Sequence, residues 1–432
     1  MRISILGGRV IDPAQVLDQV IDIHIEGEHI FGLGACPEGF KADQIIDATG
    51  LIVAPGFIDL CCHLRDPGPS YKGNIASEAQ AALAGGFTQV CARPDTVPPL
   101  DSPAIVRVVR ERAELAGKAK VLPVGALTQG LEGQLLSNMS GLQSAGCVAV
   151  TNLRQPIQDN LILRRCLEYA ATFDLLVMIY PEDSALRGSG YSHEGPLSSQ
   201  LGLAGIPETA ETLAVAQALL LIEQTGVRAH FAHLSTARAV EQIAQAKAQG
   251  LPVTADVALS HLLFTDAYLE SFDSNFHLEP PLRSEADRLG LLQGLKDGVI
   301  SAVSSSHLPH EQAAKMAPFS VSEPGMSSLE VVLPQMLILV EKGWLSLSDL
   351  VKRLAFAPAQ LLGLKSGALW AGYKADLILI DPDAPWVLNE QTSFSAGHNT
   401  PFWNQPLKGR VVTCLVDGQV HFNHLTTIKG DD

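Results

Sequence analysis

The chain has 432 residues, of which 47% are hydrophobic and 18% are charged. This composition favours a large globular protein and excludes a disordered or fibrous one. Asp and Glu number 46 against 30 Lys and Arg, which gives a formal net charge of −16 and disfavours binding to nucleic acids or anionic membranes. No apolar run reaches the roughly 18 residues of a membrane-spanning helix. The seven cysteines are scattered, a pattern typical of reduced thiols in a cytoplasmic protein.

Both ends of the chain have the alternation of apolar and polar residues that is typical of β-strands. Residues 1–50 contain several such stretches separated by turn residues, and these predict short antiparallel strands. Near the other end, residues 375–380 and 411–416 have the same pattern, and Asp417-Gly418 predicts a hairpin turn. Together the two ends predict one small β-sandwich domain.

Between the two ends, short apolar runs alternate with helical patterns. The strand candidates are 57–60, 89–91, 121–124, 147–150, 176–179, 229–232, 253–255 and 300–303. Eight strand–helix units predict an α/β fold, a (β/α)8 TIM barrel. A doubly wound sheet is the alternative, but no Gly-x-Gly-x-x-Gly motif follows the first strand. We therefore predict a barrel over residues 55–366 and a composite sandwich from residues 1–54 and 367–432.

Barrel enzymes carry their catalytic residues at the C-terminal ends of the strands. In this chain the segments that follow the strands are rich in side chains that ligate metals or move protons. They are Cys61-Cys62-His63-Leu64-Arg65, Thr151-Asn152-Leu153-Arg154, Tyr180-Pro181-Glu182-Asp183, His233-Leu234-Ser235-Thr236 and Ser306-His307-Leu308-Pro309-His310. We expect the functional site among them.

At these positions, and over nearly the whole chain, the sequence resembles the dihydroorotases of the amidohydrolase superfamily. The motifs that carry the resemblance include Gly56-Phe57-Ile58-Asp59, Leu64-Arg65-Asp66-Pro67-Gly68, Glu194-Gly195 to Ala210-Glu211, and Pro280-Pro281-Leu282-Arg283. The resemblance implies a (β/α)8 barrel with a β domain built from both termini. It also implies zinc-dependent interconversion of carbamoyl aspartate and dihydroorotate, a step of pyrimidine synthesis.

The resemblance further implies a set of metal ligands that this chain has largely lost. The family has a His-x-His motif after strand one, a bridging Asp or carbamylated Lys, a His from each of strands five and six, and a proton-transferring Asp after strand eight. The corresponding positions that differ here are Cys61, Asn152 with Leu153, Tyr180, and Ser306. Only His63 and His233 remain of the metal shell, so we predict no bound metal and no catalysis.

The residues that hold the substrate carboxylate in the family are only partly present. Arg65 and His310 match, but Asp95 stands where the family has Asn, and a carboxylate there would repel an anionic substrate. We predict that Asp95 forms an internal salt bridge with Arg65. For His307 and His310 two interpretations stay open, a ligand-holding pocket and simple loop packing.

Three functions are consistent with this pattern. Inactive homologues in the family are associated with bacterial aspartate transcarbamoylases, which implies a non-catalytic chain that binds the transcarbamoylase catalytic chain in a hetero-oligomer and could also form a dimer. The second is an active amidohydrolase with a rebuilt zinc site of Cys61, His63 and His233. The third is a small-molecule binding protein that uses Arg65 and His310.

Overall fold

A computed structural model of the chain describes residues 1–425 and a strand at 428–430. The strands before the barrel are β1 (Arg2–Leu6), β2 (Arg9–Asp12), β3 (Leu17–Val20), β4 (Ile23–Glu26), β5 (His29–Leu33), β6 (Gln44–Asp47) and β7 (Ile52–Pro55). The next strands are β8 (Phe57–Cys62), β9 (Phe87–Ala92), β10 (Lys120–Ala126), β11 (Ala149–Thr151), β12 (Val177–Ile179), β13 (Ser192–His193), β14 (Gly205–Ile206), β15 (Ala229–Phe231), β16 (Val253–Ala258) and β17 (Ala302–Ser304). The last are β18 (Leu377–Val387), β19 (Pro406–Val416), β20 (Gln419–Asn423) and β21 (Ile428–Gly430).

The helices follow the barrel strands in alternation. The first seven are α1 (Ile75–Ala84), α2 (Pro103–Ala116), α3 (Met139–Ala145), α4 (Asn160–Thr172), α5 (Ser184–Arg187), α6 (Pro196–Leu201) and α7 (Thr209–Thr225). The others are α8 (Ala237–Ala248), α9 (Leu259–Leu263), α10 (Glu285–Lys296), α11 (Gln312–Met316), α12 (Val332–Glu341), α13 (Leu347–Val351) and α14 (Ala357–Leu362). None of the helices in the described part of the chain is both long and apolar enough to cross a membrane.

Eight parallel strands form the predicted barrel. Strands β8 to β12 and β15 to β17 lie side by side in chain order. A bridge between Cys62 and His307 joins the first strand to the segment after the last, and the His63 N–H donates to the His307 carbonyl at 2.9 Å. Every residue of β8 and β9 is buried, as expected for strands that pack against helices outside and side chains inside. The predicted (β/α)8 fold is confirmed.

Two further sheets contain strands from both ends of the chain. One has the order β21-β6-β1-β4-β5 and the other β20-β19-β18-β7-β2-β3. A buried apolar cluster joins them, with members Ile3, Ile5, Ile23 and Ile25 from one sheet and Val53, Leu377 and Leu379 from the other. The prediction of antiparallel strands alone was wrong: β1 pairs with β6, and β2 with β7, in parallel. Alternation within a strand reports which side is buried, whereas strand direction depends on distant partners.

The barrel strands end in sharp turns that aim side chains into the mouth of the barrel. Arg65, Leu153, His233 and Ser306 follow β8, β11, β15 and β17, with φ angles of 60°, 50°, 56° and 53°. These values lie in the left-handed region, which costs about 1–2 kcal/mol for a residue with a side chain. The backbone therefore adopts an energetically costly conformation at four of the predicted site positions.

Candidate functional site in the barrel mouth

A cavity of about 240 Å³ lies at the C-terminal ends of the barrel strands. Five of the predicted site residues line it, namely Asp95, Leu153, Tyr180, His233 and Ser306. The other charged or imidazole side chains in its wall are Arg93, Arg154, Arg187, His261 and Glu279. Cys61, His63, Arg65, Asn152, His307 and His310 are not among its lining residues. The structure thus brings five of the predicted residues together around one cavity and leaves the other six outside its lining.

Arg93 and Asp95, just after β9, form a charge pair in the mouth. Nη2 and Nε of Arg93 lie 2.7 and 3.2 Å from the two carboxylate oxygens of Asp95. The His63 Nε2 atom lies 3.5 Å from Asp95 Oδ2. Burial disfavours the charged carboxylate, but Arg93 and His63 outweigh burial and hold the pKa of Asp95 well below its usual range. The mouth therefore contains a permanent ion pair.

The predicted salt bridge between Arg65 and Asp95 is wrong. The Arg65 guanidinium donates to the Pro309 carbonyl from Nε at 3.0 Å and from Nη2 at 2.8 Å, and Nη2 also contacts the His310 ring. Burial lowers the pKa of Arg65. Asp95 has a nearer cation in Arg93, two residues before it and therefore on the same side of an extended chain. That spacing was the signal in the sequence that could have identified the pair.

An apolar cluster fills the position of the implied metal shell. Cys61 packs with Leu153, Tyr180 and Ala232. Burial raises the pKa of the Cys61 thiol to about 12, so in these surroundings the thiol is protonated at neutral pH. The Tyr180 ring stands edge-on to the His233 ring, with 5.1 Å between the centroids.

His233 is buried beside this cluster without a side-chain partner. Burial lowers its pKa to about 3, so its imidazole is neutral. Its Nε2 atom has no hydrogen-bond partner among the described residues. Its backbone N–H donates to Asp256 Oδ1 at 2.7 Å, and Asp256 also contacts His230 Nε2 at 3.1 Å. This buried Asp256–His230 pair lies beneath the mouth and was missed from the sequence, because both residues lie inside strands.

The residues present do not fit the zinc that the resemblance implies. Among the residues that the structure describes, no group of three or more His, Cys, Asp and Glu side chains is placed to hold a metal ion. Leu153 at the bridging position has no donor atom, and Tyr180 and Ser306 stand where the family has a His and an Asp. Nδ1 of His63 accepts the Arg65 backbone N–H at 3.0 Å, and its Nε2 faces Asp95. The Arg93 guanidinium interacts electrostatically with Cys61, Tyr180 and His233, so a fixed organic cation lies among these groups.

The side chain of Asn152 stabilises the turn that follows β11 through hydrogen bonds. Its Oδ1 accepts from the Thr128 hydroxyl at 2.7 Å, and its Nδ2 donates to the carbonyls of Leu131 and Gln155 at 3.2 and 2.8 Å. Its amide oxygen and both of its amide N–H groups are thus hydrogen-bonded within the fold. Asn152 therefore holds the turn that follows β11.

For His307 and His310 the structure supports packing over a ligand pocket. His307 is fully buried, its Nε2 lies 2.8 Å from Glu78 Oε2, and its Nδ1 accepts the Ser328 N–H at 3.0 Å. His310 Nε2 donates to the Pro324 carbonyl at 2.9 Å, and burial together with Arg65 lowers its pKa to about 3. Both rings are committed to internal contacts.

Four charged residues near the cavity complete its electrostatics, namely Glu182, Asp183, Arg154 and Arg187. The Glu182 side chain is 8% exposed, and its carboxylate oxygens lie 3.6 Å from Arg154 Nη1 and 3.3 Å from Arg187 Nη1. Asp183 accepts the Leu186 N–H at 2.8 Å and caps α5. Arg154 and Arg187 were not predicted to line the cavity, because neither belongs to a motif that the sequence analysis recognised. The position of Arg154, one residue beyond the turn after β11, was the available signal.

Comparison with known proteins supports the resemblance along the whole chain. A family model described as dihydro-orotase-like matches residues 50–239, and one described as amidohydrolase family matches residues 193–421. A "dihydroorotase-like protein" of Pseudomonas aeruginosa is 52% identical over 424 residues, 98% of this chain and 100% of its own length. A "dihydroorotase" of Syntrophotalea carbinolica is 42% identical over 422 residues, 98% of this chain and 99% of its own length.

Solved structures with the same architecture are more distant in sequence. The L-hydantoinase (dihydropyrimidinase) from Arthrobacter aurescens has a TM-score of 0.87 and 24% identity, with 99% of this chain and 98% of that chain covered. The dihydropyrimidinase from Brevibacillus agri has a TM-score of 0.82 and 22% identity, with 98% and 95% covered. At this identity the likeness concerns the fold.

Proposed function

Because the chain belongs to the dihydroorotase-like family of amidohydrolases, we propose that it keeps the family scaffold without its catalysis. In this role it serves pyrimidine biosynthesis as a non-catalytic subunit that supports assembly and activity of aspartate transcarbamoylase. The observation that carries the proposal is the barrel mouth itself, where the Arg93–Asp95 ion pair and the packed Cys61, Leu153 and Tyr180 side chains replace a metal shell.

The chemistry of cyclic amide hydrolysis explains why these replacements matter. A metal ion activates the attacking water and polarises the carbonyl, and a carboxylate moves the proton. Ser306 supplies no carboxylate at the proton-transfer position, and Asp95 is tied to Arg93 with a strongly lowered pKa. The loss of a general base alone costs about 10²–10⁴ in rate. Without the metal the water also stays unactivated.

Two further observations support a scaffolding role. The family likeness spans nearly the full length of the chain, which is consistent with a scaffold that is kept as a whole. Large apolar side chains are also exposed on the outer helices, among them Leu115 on α2 and Leu213 and Leu220 on α7. Leu213 and Leu220 are seven residues apart and lie on one side of their helix. Exposed leucines of this kind suit a protein–protein contact.

The first experiment measures metal content and turnover of the purified chain. We expect no stoichiometric zinc and no hydrolysis of dihydroorotate with added zinc, alongside an active zinc dihydroorotase as the positive control. Ser306→Asp alone should not restore turnover, because no activated water is available to it. About one zinc per chain that is lost in Cys61→Ala, or zinc-dependent turnover by the wild-type chain, would overturn the proposal.

The second experiment tests the partner. The transcarbamoylase catalytic chain is expressed with and without this protein, and the size and activity of the product are compared. We expect a stable hetero-complex with more than roughly 1,000 Å² buried and higher activity than without this chain. Arg154→Gln, in the cavity, should leave the complex intact, whereas Leu213→Asp with Leu220→Asp tests the α7 surface. Equal size and activity in both samples, without co-elution, would rule out the assembly role.

An active amidohydrolase with an altered zinc site is the second candidate. It is favoured by the unpartnered His233 Nε2 atom and by full-length relatives that are named dihydroorotases. Its signature would be the zinc stoichiometry described above.

A further inference from the structure

A second pocket lies at the end of the barrel opposite to the mouth. Its volume is about 520 Å³, within the roughly 300–1,000 Å³ of small-molecule sites. Its lining includes Leu176, Arg228, Pro252 and Ser301, each of which stands one residue before β12, β15, β16 or β17. Barrel enzymes act at the other ends of their strands, so the activity of the family does not account for this pocket.

The charged side chains in the lining of this pocket are all positive. They are Arg228, Lys352 and Arg353, and the described lining residues include neither Asp nor Glu. Lys352 is exposed and forms no salt bridge within the described part of the chain. The whole chain, in contrast, has a net charge of −16. The pocket is therefore a local positive site on an acidic protein, where an anion would be attracted.

Two cations lie side by side beneath the floor of the pocket. Arg353 is 6% exposed, and its Nη2 donates to the Leu295 carbonyl at 2.7 Å. Lys247 Nζ donates to the Val299 carbonyl at 2.6 Å. Both contact Ser301, Lys247 Nζ at 3.3 Å from its Oγ and Arg353 Nη1 at 3.4 Å from its carbonyl oxygen. Burial and the charge of Arg353 lower the pKa of Lys247, so the two cations repel one another.

The negative groups around the pocket cancel only part of this charge. Asp174 Oδ1 lies 2.7 Å from Arg228 Nε and neutralises that arginine, and Asp349 interacts electrostatically with the other two lining cations. The C-terminal ends of α8 and α10 each add about half a negative charge. The exposed neighbours Lys296 and Asp297 offset one another. The four cations of the lining and floor, set against two carboxylates and two helix ends, leave a surplus of about one positive charge.

We infer that this pocket binds a small phosphate monoester, with the phosphate on the exposed amino group of Lys352 and on Arg228. The Nε and Nη2 atoms of Arg228 donate to Asp174, which leaves Nη1 for a ligand. A phosphate monoester carries about −1.5 to −2 charges at pH 7 and three acceptor oxygens, so it suits donors that come from different sides of a pocket. Its organic body would lie against the apolar wall formed by Leu251 and Leu361. The buried cations attract the phosphate from beneath the floor without contact.

The test is calorimetric titration of the full chain at neutral pH and constant ionic strength. The probes are phenyl phosphate, inorganic phosphate and benzyl alcohol. We expect saturable binding of phenyl phosphate, binding of inorganic phosphate that is several-fold weaker because it has no apolar body, and no saturable binding of the uncharged alcohol. Lys352→Gln should weaken phenyl phosphate binding by about tenfold, as expected for a lost charged hydrogen bond. Arg228→Gln should weaken it several-fold.

The matched control is Lys342→Gln. Lys342 is an exposed lysine directly after α12 that does not line the pocket, so this variant changes the net charge equally and should leave the affinity unchanged. No saturable binding by the wild-type chain, equal affinity in the two lysine variants, or equally tight binding of benzyl alcohol would each overturn the inference. Loss of the transcarbamoylase complex in Lys352→Gln, without binding of either phosphate, would assign the pocket to an acidic side chain of the partner and would also overturn it. The titration itself involves no transcarbamoylase, so its outcome is independent of the proposed assembly role.

Discussion

At the scale of single residues, Arg93 determines the character of the barrel mouth. Its guanidinium reaches Asp95 and lies within electrostatic range of Cys61, Tyr180 and His233. Burial alone would lower the pKa of Arg93, but Asp95 and its neighbours raise it overall. A fixed cation of this kind repels a metal ion and stabilises the carboxylate beside it.

Replacement of Arg93 by Met should therefore destabilise the fold. Asp95 would keep only His63 at 3.5 Å as a counter-charge, and we expect a loss of about 1–3 kcal/mol in the free energy of unfolding, measured by denaturant titration. The pair is half-buried, so the loss should fall below that of a fully buried pair. The double variant Arg93→Met with Asp95→Asn should recover most of the loss.

The matched control for this cycle is the exposed pair of Arg164 and Glu168. Arg164→Met should change the free energy of unfolding by less than about 0.5 kcal/mol. A double variant no more stable than Arg93→Met alone would show that packing of the arginine stem, rather than the charge pair, accounts for the effect.

Single residues also show where sequence reasoning reaches its limit. The segments that form the mouth could be predicted, since strand ends follow from periodicity. The partner of each side chain could not, because Asp95 had two possible cations and His307 finds its partner Glu78 229 residues away along the chain. Local spacing favoured Arg93, whereas the resemblance drew attention to Arg65.

At the scale of elements, one carboxylate on α1 ties three parts of the barrel together. Glu78 Oε2 is bonded to His307 Nε2, after β17, and accepts from the Ser395 hydroxyl at 2.7 Å. Glu78 Oε1 accepts the Ala396 N–H at 3.1 Å. Burial raises the pKa of such a group, but the bonds from His307 and Ser395 outweigh it, and the pKa of Glu78 is lowered. The Glu78 carboxylate thus links α1 to the segment after β17 and to the segment before β19.

Glu78→Ala should be among the most destabilising substitutions in the chain. It would leave the buried donors of His307 and Ser395 unpaired, and we expect a loss of about 3–5 kcal/mol in the free energy of unfolding. Glu111→Ala on the exposed side of α2 is the control and should stay within about 0.5 kcal/mol. A loss below about 1 kcal/mol for Glu78→Ala would indicate that water can replace the carboxylate.

The elements themselves were largely predictable. All eight barrel strands lie at the predicted places, and helices alternate with them as predicted, because periods of 2 and 3.6 residues distinguish strands from helices. The parallel pairing of β1 with β6 was not predictable, since it depends on a connection through β4 and β5 that alternation does not encode.

At the scale of the whole molecule, buried histidines should make the protein sensitive to acid. Burial lowers the pKa of His233 and His310 to about 3 and that of His261 and His277 to about 4. In the unfolded chain these groups titrate near 6.5. Between about pH 6.5 and 4 these histidines therefore bind protons in the unfolded state but not in the folded state. Each histidine lowers stability by up to about 1.4 kcal/mol per pH unit as the pH falls.

Two buried carboxyl groups act in the opposite direction. Burial raises the pKa of Asp59 to about 6 and that of Glu330 to about 7, so the folded state takes up protons there as the pH falls. With Glu211 and Asp266, whose pKa burial also raises, four acids act in this direction, while His63, His193 and His424 bring the histidines with a lowered pKa to seven in the described part of the chain. The histidines outnumber the acids, and we expect the melting temperature to fall steadily from pH 6 to pH 4.5. His277→Phe should make the decrease shallower, and the exposed His29→Gln should not. A melting temperature that rises over this range would contradict the balance.

The sandwich has a further consequence for how the protein is made. The Leu369 N–H donates to Asp12 Oδ2 across 357 residues of chain, and β7 pairs with β18. A ribosome adds about 5–20 residues per second, so the first strands wait roughly 20–70 s for partners that have not yet been synthesised. During that interval their apolar faces and unpaired strand edges are exposed to aggregation unless chaperones bind them. A chain that ends at residue 366 should accumulate as aggregate, whereas one that ends at residue 425 should not, as fractionation of a cell-free translation would show. Because synthesis runs from the N-terminus, the first fifty residues cannot complete their sheets until the last sixty or so residues have been made.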